Sequence, residues 1–204
     1  MKILFKALAL GLLVASSTLV SAQTAGYEEI DISLRTENPD KIEVVEFFRY
    51  GCPHCFQFES FVKEWKSSQP EKVAFINAAP PLNPAWKIHS QAFYAAGVLD
   101  VLEQFHEPFF NAIHVDKKQM RKPKDIGKFV DSIGLDGEEF QQTMKSFNVD
   151  AMVRQAMQMS TNAGINAVPS VIVNGKYRTS GSIAGSYENL IEVLDELVAK
   201  ESSQ

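Results

Sequence analysis

The chain has 204 residues, 45% of them apolar, enough for one domain with a sizeable interior or for a core with one large insertion. A formal charge of -5 argues against nucleic acid as a partner, and removal of a leader carrying Lys2 and Lys6 would leave the remainder more acidic still. With only two cysteines, Cys52 and Cys55, three positions apart, it is not an exported module stapled by many bridges.

Basic residues at Lys2 and Lys6, an apolar run from Ala7 to Val20 and the small-residue end Val20-Ser21-Ala22 have the layout of a secretory signal peptide cleaved after Ala22. An uncleaved signal anchor is the alternative. Nothing after Gln23 supplies a further apolar stretch of about 18 residues, so the mature chain is expected to be soluble.

Ile30, Ile32 and Leu34 alternate between Tyr27 and Leu34, which predicts a first strand. The run from Ile42 to Phe48 is almost continuously apolar and suits a central strand buried on both faces, ending at Gly51. From Cys52 the spacing becomes helical: Cys55, Phe58, Val62 and Trp65 share one face, with Cys52 at the first turn. Val73 to Ile76 then reads as a second central strand, paired parallel with the previous one through a right-handed crossover.

Beyond Pro80-Pro81 several helices are predicted, with Asn83 as an N-cap before Pro84 and Asp136 with Glu139 as a capping box. The last places Val149, Met152, Val153, Ala156 and Met157 on one stripe and stops at Gly164. Val171 to Val173, the turn Asn174-Gly175, and Lys176 to Thr179 form a hairpin signal. A final helix from about Ser186 carries Leu190, Ile191, Leu194, Leu197 and Val198 on the face that covers the sheet. The organisation expected is a leader over 1–22, an α/β domain in two parts over 23–80 and 165–204, and an inserted helical domain over 81–164.

A Cys-x-x-Cys pair encloses so short a loop that its bridge adds little global stability, which points to redox chemistry or metal. Directly after a strand and at the head of a helix, Cys52-Pro53-His54-Cys55 favours redox chemistry. Unpaired N–H groups and the positive end of the helix dipole stabilise a thiolate at Cys52. Pro53 gives up an N–H that the first turn does not use. His54 offers a further donor and a charge, or else is simply exposed. Cys55 lies on the apolar face, buried and unreactive until it resolves a mixed disulfide. Stabilising the thiolate stabilises the reduced form, which makes the disulfide oxidising.

The competing half of a zinc knuckle needs two more ligands, and His89, His106 and His114 stand at no ligand spacing, so neither metal nor other cofactor is expected. Those three histidines are expected on the surface or in helix packing. Glu46, within the central strand, is either a buried carboxyl able to exchange a proton with Cys55 or a residue on a partly solvated face. Pro169 stands at a strand's first position or in a cis turn.

The segment from Glu46 to Glu59 and the pairing of Val168-Pro169 with Val173-Asn174-Gly175-Lys176-Tyr177 resemble the DsbA family of the thioredoxin superfamily. The resemblance implies a thioredoxin fold with a large inserted helical domain. It implies a periplasmic thiol:disulfide oxidoreductase that passes the Cys52–Cys55 disulfide to reduced secreted proteins, with Pro169 cis and, together with Val168, binding extended substrate. It also implies re-oxidation by a DsbB-type quinone-linked membrane partner, and it matches Glu46 to the buried acid beneath the cysteines; a monomer is expected. One departure is that the family's best-known members set a lysine near that acid from the next strand, whereas Val73 to Ile76 contains none.

Two rival functions share these residues. A disulfide reductase or isomerase uses the same core but usually adds a dimerisation domain, for which no room is expected before Ile42. A non-redox peptide-binding chaperone would use a groove near Pro169 and keep its function in Cys52→Ser.

Overall fold

The computed structural model describes residues 26–31 and 33–203; the leader and its cleavage site lie outside them. Five strands form one mixed sheet: β1 (Glu28–Glu29), β2 (Ile42–Phe47), β3 (Val73–Ala78), β4 (Ser170–Val173) and β5 (Tyr177–Thr179), in the order β1-β5-β4-β2-β3. β2 and β3 run parallel, and every other neighbouring pair is antiparallel. The crossover between β2 and β3 is α1 (Pro53–Ser68), as the sequence pattern requires.

β2 is buried throughout, and its alternation divides the core. Val44 faces Phe58, Val62 and Trp65 of α1 and Leu190, Leu194 and Leu197 of the last helix. Val45 and Phe47 point the other way, onto Ala163, Ile165 and Ile172. By the same alternation Glu46 shares the face of Val44, beneath α1.

Between β3 and β4 the chain makes a 3-10 turn (Pro84–Trp86) and five helices, α2 (Lys87–Val98), α3 (Leu102–His114), α4 (Pro123–Ser132), α5 (Gly137–Met144) and α6 (Phe147–Asn162). They enclose a core of their own, rich in Phe93, Phe105, Phe109, Phe129 and Phe140, which also takes in Phe48, Tyr50 and both cysteines. A short α7 (Gly181–Ala184) precedes α8 (Tyr187–Ser202). Trp65 of α1 donates to Asp195 of α8 at 2.7 Å, tying together two helices on the same face of the sheet.

Several expectations need correction. The first strand is only Glu28–Glu29, because beyond it the chain touches the hairpin turn rather than a strand: Ile30 N–H donates to the Lys176 carbonyl and Leu34 N–H to that of Gly175. Ile32 lies outside the described residues. The hairpin connection has three residues, not two, since Val173 pairs with Tyr177, and Asn174 and Gly175 both take positive φ (49° and 66°). Gly175 also lies against Leu34, so close that a Cβ there would stand 2.3 Å from the Leu34 carbonyl oxygen. On α6 the buried stripe is Val149, Val153, Ala156 and Ser160; Met152 is half-buried and Met157 is exposed.

Candidate active site

β2 stops at Phe47, Phe48 N–H still reaches the Ala78 carbonyl, and Arg49, Tyr50 and Gly51 make the turn into α1. Cys52 is the N-cap residue rather than a member of the first turn: its backbone is extended (φ -98°, ψ 117°), and its carbonyl accepts from Phe56 N–H at 3.1 Å. Pro53 fills the first helical position, where a missing N–H costs nothing.

Cys55 is wholly buried and Cys52 keeps a 7% window. The Cys52 thiol is held down to about 5, chiefly by a hydrogen bond from the Cys55 thiol. Burial opposes this, while the N–H groups of Cys55 and His54 and the charge of Arg49 add to it. Cys55 is displaced the opposite way, far above an ordinary thiol, first by burial and then by its bond to Cys52. Two adjacent sulfurs are thus driven apart, one towards a stable anion and leaving group, the other towards a retained proton.

His54 is exposed, so its pull on Cys52 comes through its backbone N–H, and its carbonyl accepts from the Tyr187 hydroxyl at 3.1 Å. The charge beside Cys52 belongs to Arg49, to which the sequence reasoning gave no role. Arg49 donates to the Gly51 carbonyl at 3.0 Å, and its guanidinium lies 4.0 Å from the centre of the Trp86 ring.

The Val168–Pro169 bond is cis, and the Cys52 thiol lies 3.5 Å from the Val168 carbonyl oxygen. Beside this contact opens a groove of about 710 Å³, whose walls include His54, Ile165, Val168, Pro169, Ser182 and Tyr187. The guanidinium of Arg178 braces it, donating to the carbonyls of Ala163 and Gly164 and to the carboxylate of Glu28.

Glu46 is completely buried, which settles the choice between a buried and a partly solvated face. Burial pushes its carboxyl well above the ordinary range, Glu59 adds to this, and Lys66 and Asn77 work against it. Asn77 donates to Oε2 at 2.9 Å, while Oε1 has no hydrogen-bond partner among the described residues. Asn77 lies opposite Glu46 in the β2–β3 register, one residue past the predicted end of that strand. Aligning the first residues of the two strands, Ile42 with Val73, would have found it.

The three scattered histidines converge. His106 Nδ1 lies 2.8 Å from the Tyr50 hydroxyl, His114 Nε2 is 2.6 Å from the Tyr50 carbonyl oxygen, and His89 packs against Gly51. Spacing along a helix could not show this, because the meeting point lies on a turn of the other domain part. Among the described residues no group of three or more His, Cys, Asp or Glu side chains is arranged to hold a metal ion.

A family model described as thioredoxin matches residues 38–196. The chain is 37% identical to the thiol:disulfide interchange protein DsbA of Azotobacter vinelandii over 87% of its own length and 83% of that protein's. With the DsbA of Pseudomonas aeruginosa (strain PAO1) it is 33% identical over 98% and 95%. A crystal structure of Pseudomonas aeruginosa DsbA superimposes with a TM-score of 0.83 at 32% identity, covering 87% of this chain and 93% of that one. The DsbA of Xylella fastidiosa gives 0.81 at 29%, covering 88% and 96%. With this fold and this degree of likeness, the chain belongs to the DsbA family of disulfide-forming thiol:disulfide oxidoreductases, built on the thioredoxin fold.

Proposed function

We propose that this protein works in the periplasm, after cleavage behind Ala22, as a monomer that donates a Cys52–Cys55 disulfide to reduced secreted proteins. A substrate thiolate attacks Cys52, the sulfur with the window and the lower pKa, and Cys55 leaves as its S–S bond breaks. A second substrate thiolate then attacks the substrate sulfur of the mixed disulfide and releases Cys52 as a thiolate. Two electrons pass from two substrate thiols to the cysteine pair, whose disulfide a DsbB-type quinone-linked membrane partner restores. Val168 and Pro169 receive the extended substrate beside the groove. Residues 81–164, which hold α2 to α6, act as a helical domain inserted between 23–80 and 165–204.

Glu46 serves the buried sulfur. Held protonated by burial, it gives its proton to departing Cys55 and takes one back when Cys55 must attack. No other cofactor is involved.

The observation that carries this reading is the opposite displacement of the two thiols. At pH 7, two pH units above about 5, the anion favours the reduced form roughly a hundredfold, about 3 kcal/mol. For a two-electron couple this raises the potential by roughly 60 mV. As pH falls through 5 the advantage disappears, because below that pH Cys52, like an ordinary thiol, is protonated. Thiolate absorbance against pH, with redox equilibration against glutathione, tests this; a midpoint near that of free cysteine or a strongly reducing potential would refute it. Treated with oxidised glutathione, Cys55→Ser should accumulate a mixed disulfide at Cys52 as the second glutathione leaves as a thiolate, because no Cys55 thiol remains to resolve it, and Cys52→Ser should form none. Retained function in Cys52→Ser would restore the non-redox chaperone reading.

A further inference from the structure

The three carbonyl groups directly upstream of Cys52 are all engaged by donors. Arg49 O accepts from Cys52 N–H at 3.0 Å, Gly51 O from Arg49 Nη2 at 3.0 Å, and Tyr50 O from His114 Nε2 at 2.6 Å. A carbonyl only accepts, so His114 must carry its proton on Nε2. Its ring is fixed by stacking on Phe56, 4.8 Å away and 14° from parallel.

Gly51 explains why such a hold is needed. A Cβ at this position would meet His89 Cε1 at 3.3 Å, tight enough that the ring would have to give by a few tenths of an ångström. Glycine, however, lets the Tyr50–Gly51 peptide plane rotate readily. An unheld carbonyl two residues before Cys52 can turn its negative end towards the sulfur, where it disfavours the anion. The bond from α3 removes that freedom.

We propose that the helical insertion tunes the thiolate of Cys52 through His114, a positioning residue that pins the Tyr50 carbonyl away from the sulfur. The assignment rests on the disulfide-donor reading above and goes beyond it, because it makes the redox poise of the cysteine pair a property of α3 as well as of α1. His114 touches neither substrate nor sulfur in this role and acts through the peptide it holds.

The test compares His114→Phe, which keeps a ring against Phe56 but loses the donor, with His114→Gln, which keeps an N–H at similar reach. In the full chain, His114→Phe should raise the Cys52 titration midpoint and weaken oxidation against glutathione about fivefold, the worth of one hydrogen bond. His114→Gln should stay within about twofold of the unaltered protein. Equal effects in both variants, or none in His114→Phe, overturn the proposal. Should His114→Phe not fold, the unaltered protein decides by NMR: an exchange-protected His114 Nε2 proton is expected, and its absence at neutral pH overturns the assignment. If the unaltered protein is itself reducing, the disulfide-donor reading fails. If it is oxidising and His114→Phe matches it, only the role of His114 fails.

Discussion

Glu46 is costly for stability and, under the proposed function, useful for chemistry. Its carboxyl is buried without a charge partner in hydrogen-bonding contact, and one oxygen has no donor among the described residues. Because its folded pKa lies above the unfolded value of 4.5, its contribution to stability is fully present below 4.5 and is lost as pH rises through the folded value. Glu46→Gln should abolish this decline, seen as a urea midpoint that no longer falls with rising pH over that window. The same variant should slow the opening of the Cys52–Cys55 bond by a substrate thiol by about 10²-fold, measured as the rate of mixed-disulfide formation, since the donor of a proton to departing Cys55 is gone. Normal formation kinetics would show that the acid is not used. The position and apolar neighbours of Glu46 were legible in the sequence. Its Asn77 contact follows from the strand register only once β3 is carried past Ile76, which the apolar run alone does not show.

Among the elements, helices with a strong period and a side-chain cap were the most legible. Asn83, Asp136 and Ser186 all accept from backbone N–H groups at helix starts, as small polar residues before apolar repeats do. Ser186→Ala should cost about 1 kcal/mol, read from the denaturant midpoint. The same loss should loosen Tyr187, the first residue of α8, whose hydroxyl donates to His54. Short elements were poorly legible for a physical reason. β1 is two residues held by side-chain bonds such as those from Arg178 to Glu28, and α7 is a single turn capped by Ser180. Neither is long enough to carry a period. Met157 failed because a stripe drawn from hydrophobicity alone passes over Ser160, which is buried by donating to the Met157 carbonyl.

At the scale of the molecule, the insertion is continuous with the site it covers. Tyr50, on the turn after β2, packs edge-on against Phe105 and Phe109 of α3, and its hydroxyl meets His106. A core shared in this way predicts one cooperative unfolding transition. The two tryptophans can report it separately, since Trp65 lies in the sheet-side core and Trp86 lies at the entrance to the insertion against Arg49. Single-tryptophan variants should unfold at the same denaturant concentration; two separated midpoints would show that the insertion melts alone. The alternation of sheet and helical patterns made the insertion visible in the sequence, but not its grip on the turn before Cys52, which is made by residues distant in the chain.

The two rims of the sheet differ in a way that matters for the proposed handling of reduced secreted proteins. β1 spans only two residues, and β3 is bracketed by Pro70 on one side and Pro80-Pro81 on the other, with Lys66 poised over Phe75. The first is too short to serve as a ladder for a sticky polypeptide, and the second, six residues long, is flanked by prolines that stop a pairing strand from extending beyond it. Adhesion is thereby discouraged along both described margins, and under the proposed function the neighbourhood of Pro169 is the berth where a visiting strand docks and later departs.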